Sequence, residues 1–392
     1  MKKLYSVLAV LTLIVIMCSC INSGSGEKNT PSGTNSASAS SESEFFASEQ
    51  LDVKCISDEE TVSDAVIVDK NQAVLLIESE MEMLTVSPKR IVLYDFSKDK
   101  VLNETALTCA RPDLFEYKQG VYVVGYGHAF SLSNLLLVAF DKQLNETYTA
   151  DFSQLKSTIK PAKVRLSYDG EKIGILTENS SIYLAEIDNI KDAELLFSVE
   201  ESNVVNRIID IDFTESANII CYTCKLGKED NAVNGVGWTR HTSSKGNGNS
   251  TYADKQSEAL VRGGNKMLML DEAAALGSSS SGKCAIRDFE SGNYRTLTFD
   301  KKNESSNAVL SNHGNYVLSC IVGVLENGNG MLRFTLYNSN TLKKVKSFDY
   351  EGENENVMLS LMTINEENNW AYLVLVDGGK TKHIRLSIPS GE

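Results

Sequence analysis

Val164-Arg165-Leu166-Ser167, then Tyr168-Asp169-Gly170, then Ile173-Gly174-Ile175-Leu176 and, after a second break, Ser181 to Asp188, form the stretch that decides the fold. It reads as a strand, a tight turn, an apolar strand and a third strand, because Asp-Gly punctuates two short hydrophobic runs. The same signature recurs along the chain about every 50 residues. Turn clusters stand at Asp69-Lys70-Asn71, Lys118-Gln119-Gly120, Thr214-Glu215-Ser216, Arg262-Gly263-Gly264, Asn312-His313-Gly314 and Glu367-Asn368-Asn369. A fixed period of this size marks a repeat architecture.

Each turn is followed by a run too continuous for one amphipathic face, such as Ala73 to Ile77, Val121 to Tyr126, Tyr316 to Val322 and Ala371 to Val376. Such runs suit strands buried on both faces. The strands after them end at Asp95, Asp141, Asp188, about Thr242, Asp288, Asn338 and Ser387, with intervals of 46 to 54 residues. A shorter strand precedes each turn, as Ala65 to Val68 and Ile208 to Phe213 do. A polar outer strand closes most units, giving four strands per repeat. The expected fold class is all-β, a seven-bladed β-propeller. The polar stretch Lys228 to Gln256, read as an insertion within a larger blade, leaves six blades as the alternative count. The last repeat lacks an outer strand, and the orphan segment Leu51 to Ile56 is expected to supply it, leaving no open sheet edge.

Across roughly Glu49 to Glu392 this pattern resembles the broad WD40-like and YVTN-like propeller superfamily. The Trp-Asp dipeptides of true WD40 repeats are missing, so the resemblance implies an architecture and no partner.

The N-terminus has a different character. Lys2 and Lys3 precede fourteen apolar-dominated residues from Leu4 to Met17, too few to span a bilayer comfortably, which reads as a secretory signal. Met17-Cys18-Ser19-Cys20 resembles the bacterial lipobox, with Ser19 at the small position and Met17 where Leu is usual. That resemblance implies a lipoprotein signal peptide over residues 1–19 and lipidation, such as by palmitate, of Cys20. The implied location is the extracytoplasmic side of a bacterial cell membrane. A plain secreted protein is the alternative. Residues 20–48, rich in Ser, Gly, Asn and Thr, read as a flexible tether with a reach of roughly 30 Å. Residues 49–392 are the expected propeller domain.

The formal net charge is −14, and loss of Lys2 and Lys3 makes it −16. A surface of that sign repels phosphate backbones and anionic headgroups, so nucleic acid is excluded as a partner and the membrane is reached through the lipid. Of eight cysteines, setting aside Cys18 and Cys20 leaves Cys55, Cys109, Cys221, Cys224, Cys284 and Cys320. Most lie in apolar strands, where they act as small hydrophobes.

No motif supplies a complete chemistry. Cys221-Tyr-Thr-Cys224 has redox or zinc spacing but sits in a strand, where i and i+3 face opposite ways. Gly277 to Cys284 approaches a P-loop, yet Cys284 replaces the required hydroxyl. Asp210 and Asp212 are two apart on an inner strand and converge on one side, which suits a calcium ion or an acid–base pair. Hydrogen bonding to backbone amides between blades is the simpler reading. No G-x-S-x-G elbow or H-E-x-x-H appears, and no cofactor is expected.

Loops between second and third strands share one face and read as long in the first, second, fourth, fifth and sixth units. The candidate ligand-binding residues there are Tyr126, His128, Phe130, Trp238 and His241, accompanied by Met81, Met83 and Leu325, because aromatic and Met side chains on a rigid scaffold anchor partners. The expected function is therefore a tethered, non-catalytic binding or scaffold propeller that recognises another envelope protein, a peptide or a glycan. The alternatives are a propeller hydrolase or lyase using Asp210, Asp212 or His128 in the central channel, and a structural subunit of an envelope complex.

Overall fold

Alternate residues of the strand Gln72–Ser79 enter two different cores, and that division builds the molecule. Ala73, Leu75 and Ile77 pack with Trp370, Tyr372 and Val374, whereas Val74 and Leu76 pack with Val121, Val123 and Phe140. All five strand residues are at most 1% exposed. A sheet buried on both faces by two neighbouring sheets is a blade.

The computed structural model describes residues 46–79, 89–128, 131–198, 206–216, 219–226, 233–241, 250–252, 259–270, 283–299 and 306–389. Cys20, Phe130, Met81 and Met83 lie outside the described residues, as do the leader and most of the tether. Among the described residues are 28 strands, β1 to β28 in chain order, in seven four-stranded antiparallel sheets. Sheet 1 comprises β2 (Glu60–Asp69), β3 (Gln72–Ser79), β4 (Lys89–Asp95) and β5 (Lys100–Leu107). Sheet 2 comprises β6 (Ala110–Tyr117), β7 (Gly120–His128), β8 (Ser131–Asp141) and β9 (Glu146–Thr149). Sheet 3 holds β10 (Pro161–Leu166), β11 (Lys172–Thr177), β12 (Ser181–Glu186) and β13 (Glu194–Ser198). Sheet 4 holds β14 (Asn206–Phe213), β15 (Ile219–Leu226), β16 (Val233–His241) and β17 (Ser250–Tyr252). Sheet 5 follows with β18 (Ala259–Gly263), β19 (Lys266–Leu270), β20 (Lys283–Asp288) and β21 (Tyr294–Thr298). Sheet 6 has β22 (Ser306–Leu310), β23 (Tyr316–Val324), β24 (Gly330–Asn338) and β25 (Lys344–Glu351). Sheet 7 is β26 (Val357–Asn365), β27 (Trp370–Asp377) and β28 (Lys380–Ser387), with β1 (Ser48–Leu51) as its fourth strand.

Further apolar clusters join sheets 2 and 3, 3 and 4, 5 and 6, and 6 and 7, so the core lies between sheets. The fold is an all-β propeller. The apolar runs of the sequence are the second strands, and Trp370 to Leu375 are fully buried. Burial of each large apolar side chain there contributes about 1.5–3 kcal/mol. The outer strand β5 alternates exposed and half-buried residues along its length, as a strand with one wet face must. Lys228 to Gln256 is no separate insertion where it is described: β16 and β17 pair within sheet 4.

Three expectations are corrected. The strand that completes sheet 7 is Ser48–Leu51, paired Ser48 to Leu386 through Leu51 to His383, and not Leu51 to Ile56. Its residues are exposed except Leu51, so it carries no apolar signature. Packing begins earlier still, since Phe46 is 6% exposed in the core between sheets 6 and 7 and its amide donates to the Ser347 carbonyl at 3.1 Å. The first strands are not uniformly the short ones: β2 has 10 residues against 8 in β3, because a bulge between Val62 and Asp64 lets pairing continue past a polar interruption, whereas β22 with 5 residues is shorter than β23 with 9 as expected. The second-unit loop is not long, since β7 and β8 run to within two residues of each other and pair His128 with Ser131.

The seam between sheets 7 and 1 is polar as well as apolar. Trp370 Nε1 donates to the Asp69 carbonyl at 3.0 Å, and Arg385 reaches Asn71 Oδ1 at 2.7 Å while its guanidinium lies 4.8 Å from the Trp370 ring centre.

Candidate functional site

The aromatic and histidine candidates do not form one cluster along the strands. His128 ends β7 at the β7–β8 hairpin, and Tyr126 lies two residues back, paired with Leu135. Tyr126 is half-buried, its hydroxyl donates to the Ala162 carbonyl at 3.3 Å, and burial raises its pKa. Trp238 sits mid-strand opposite Tyr222. His241 pairs with Ile219, at the end of its hairpin remote from the loop between second and third strands. Leu325 begins the turn after β23 and donates its amide to the Asn329 carbonyl at 2.8 Å. Cys221 and Cys224 lie in strand β15 as expected, and Cys284 is buried in the sheet 5–6 core.

Asp210 and Asp212 do converge. Both line a cavity of about 360 Å³ in the central channel, bounded by the first strands of sheets 1, 2, 3, 4, 6 and 7. Each accepts a hydrogen bond from the following backbone amide at 2.8 Å, Asp210 from Ile211 and Asp212 from Phe213. Asp210 is further bracketed by two cations, Lys163 Nζ at 3.1 Å and Arg165 Nη2 at 3.3 Å. Arg165 rests on the Phe115 ring, 4.4 Å from its centre. Its pKa is raised, because Asp210 and then Asp212 and Asp113 outweigh the opposing effect of burial. Among the described residues no group of three or more His, Cys, Asp or Glu is arranged to hold a metal ion.

The sequence reading missed Asp64, Asp113, Lys163 and Arg165. Bulges fall at Val62/Asp64, Ala110/Asp113, Pro161/Lys163 and Ile208/Asp210, near the start of four successive inner strands. A bulge re-aims its side chain, and each of these four is followed by a charged residue, of which Asp64 and Asp210 line the channel cavity. The signal was the repeat period itself: Asp64, Asp113, Lys163 and Asp210 are spaced like the turns. Asp64 accepts from the Ala65 and Leu114 amides at 2.8 and 3.3 Å. Burial nonetheless pushes its carboxyl up to about 6, with Asp113 adding to the shift.

The channel opens at the end that carries the turns between first and second strands, in a second cavity of about 350 Å³. Its rim is made of the turn clusters that set the repeat: Lys118, Asp169, Glu215, His313 and Glu367, with Lys142 from the β8–β9 loop. Residues chosen by turn chemistry thus double as the mouth. His313 spans it, with Nδ1 3.0 Å from Glu215 of sheet 4 and Nε2 3.3 Å from Glu367 of sheet 7. Two acceptors on two ring nitrogens fit the doubly protonated imidazolium. Burial lowers its pKa, but Glu215, Glu366 and Glu367 outweigh that and the net shift is upward. Gly264 allows this approach: its φ is 55°, its amide donates to the Asn312 carbonyl at 2.6 Å, and a Cβ there would stand 2.4 Å from the His313 carbonyl oxygen.

The carboxylates of the rim are engaged. Glu215 and Glu367 hold His313, Asp169 accepts from Ser167 Oγ and the Glu171 amide, and Glu116 accepts from Asn365 Nδ2 at 3.4 Å. Lys118 and Lys142 are exposed and form no ion pair or hydrogen bond through their ammonium groups among the described residues.

Fold and site together define a propeller with a charged channel cavity. Within that class, no known protein family and no curated protein matches the sequence. Solved structures are similar in outline. The C-terminal WD40 domain of Sif2 is 12% identical, with 88% of this chain and 99% of that chain covered and a TM-score of 0.49. The β-propeller domain of Myceliophteria thermophila Cps50 (Swd1) is 11% identical over 84% of this chain and 100% of that one, with a TM-score of 0.46. A prolyl endopeptidase is 9% identical over 82% of this chain and 47% of its own length, with a TM-score of 0.49. The propeller architecture rests on the sheet topology described above.

Proposed function

We propose that this protein is a membrane-anchored, extracytoplasmic binding propeller of a bacterial cell envelope. It is held by lipid on Cys20 and recognises a protein, peptide or glycan without catalysing its conversion. In this reading the seven sheets are seven blades of one ring, which β1 completes. The observation that carries it is the channel mouth, a concave site whose lining comes from sheets 1, 2, 3, 4, 6 and 7 and which no single sheet could form. Convergent polar groups on a rigid, preformed cavity are what recognition requires. The leader, the polar tether and the net charge of −14 support a soluble head kept near a membrane.

The test uses the full chain in lipid nanodiscs, probed by surface plasmon resonance against fractionated envelope proteins and a glycan array. Saturable binding of at least one of these ligands is expected. Absence of any saturable binding, together with turnover of a substrate, would replace this reading with an enzyme. Loss of fatty-acid labelling in Cys20→Ser tests the anchor.

One observation favours the enzymatic alternative. Asp64, with its carboxyl near 6, faces the same channel cavity as Arg165 and Asp210, so a carboxylic acid and a guanidinium share one water-accessible space. Substrate turnover abolished by Asp64→Asn would support it.

A further inference from the structure

We propose that the channel mouth is a carboxylate-binding site, with Lys118 and Lys142 as its anion ligands and a peptide chain bearing a free carboxylate as its occupant. The inference rests on the binding reading above and names the chemistry of the ligand.

Four carboxylates line the mouth, Glu116, Asp169, Glu215 and Glu367, and each already accepts from a protein donor. Among the described residues, the mouth's charges without a partner are the two ammonium groups, Lys118 from the β6–β7 turn and Lys142 from the β8–β9 loop. They belong to one sheet and border one cavity, in a chain whose net charge is −14. The field of the whole surface repels anions, so an anion is held only by direct contact with local donors, and Lys118 and Lys142 are the donors at this mouth that no protein acceptor occupies among the described residues. A ligand carboxylate fits better than a phosphate, because the fixed charges of Glu116 and Asp169 penalise a dianion more than a monoanion. The cavity floor supplies the rest of the specificity: Ile67, Val68, Tyr117 and Tyr168 line it beside the lysines. An apolar or aromatic body next to a carboxylate, as at the C-terminus of a peptide with a hydrophobic last residue, matches that lining.

The experiment measures fluorescence anisotropy of dye-labelled hexapeptides ending in Leu, Phe or Tyr, with the full chain in nanodiscs. Each peptide is prepared with a free C-terminal carboxylate and as the amide, and glucuronate and inorganic phosphate serve as competitors. Binding of the free acids, at least tenfold tighter than of the amides, is expected, together with about tenfold loss in each of Lys118→Gln and Lys142→Gln. Both lysines are exposed and unpaired, so the variants should melt with the wild type. Equal binding of acids and amides, or lysine variants that bind like the wild type, would overturn the site. Competition by phosphate stronger than by glucuronate would overturn the choice of carboxylate. Should an envelope partner bind wild type and both lysine variants equally, this inference fails while the binding function stands. If neither peptides nor any envelope partner bind, both fail.

Discussion

Acidification should loosen sheet 7 through one histidine. His383 lies on β28 between Val374 of β27 and Leu51 of β1, is 7% exposed, and has Nδ1 2.8 Å from the Tyr372 hydroxyl. Its ring stacks on Tyr372 at an interplanar angle of 8°. Burial lowers its pKa to about 4, a pull that Asp52 only partly opposes. The unfolded chain therefore takes up a proton as pH falls through 6.5, whereas the folded chain resists until about 4. Stability attached to this group is complete above 6.5 and is lost progressively between 6.5 and 4. At about 1.4 kcal/mol per pH unit the loss approaches 3 kcal/mol. Asp64 acts in the opposite sense, since its raised pKa makes the folded state gain a proton first on acidification. A comparison of variants removes that contribution. His383→Gln keeps an acceptor for the Tyr372 hydroxyl and removes the titration. Urea unfolding from pH 7.5 to 4.5 should show the wild type losing about 3 kcal/mol more than H383Q. Parallel curves for the two proteins would show that His383 does not carry the acid sensitivity.

Lys266 is buried and donates to the Gly314 carbonyl, Ser339 Oγ and Asn340 Oδ1, all neutral, tying sheet 5 to sheet 6. Lys266→Met takes the ammonium donor from Ser339 Oγ and Asn340 Oδ1, while the Gly314 carbonyl keeps its bond from Ser339 Oγ at 2.6 Å, and should cost about 1–3 kcal/mol in chemical denaturation. The His313 bridge is strongest when the imidazole is charged, so its stabilisation is present below 6.5 and fades as pH rises through the raised folded value. Amide exchange at Gly264 and Glu366 should accelerate over that rise in the wild type and show no such step in His313→Gln. Leu51→Ala should cost about 2–4 kcal/mol, as expected for a buried leucine, whereas Glu49→Ala on the same strand should cost little, both read by urea titration.

The sheets were legible because turn residues and buried strands obey local rules: Asp169-Gly170 must turn, and Ala73 to Ile77 can be soluble only between two other sheets. The closing strand was misplaced by the same logic. Ser48, Glu49 and Gln50 are exposed, so their place is fixed by backbone pairing to β28, which leaves no mark on composition. The ionic side chains of the channel were half legible. Asp210 and Asp212 stood out as a pair, while Asp64, Asp113 and Lys163 required comparing equivalent positions of successive repeats. His313 and Glu215 are 98 residues apart and meet only because the sheets surround an axis, so no local pattern announces the bridge. His241 falls at the end of its hairpin away from the loop between second and third strands, because register decides which end a strand residue occupies.

Residues before the first repeat complete the last sheet. Hydrogen exchange of β28 measures this most directly, with the native chain compared with one in which residues 46–51 are replaced by Gly and Ser. The Ser387 amide donates to the Ala47 carbonyl at 3.0 Å and should be protected in the native chain. In the replaced chain, protection of Ser387 and of the β28 amides facing β1 should vanish while β27 stays protected. Unchanged exchange along β28 would contradict the account.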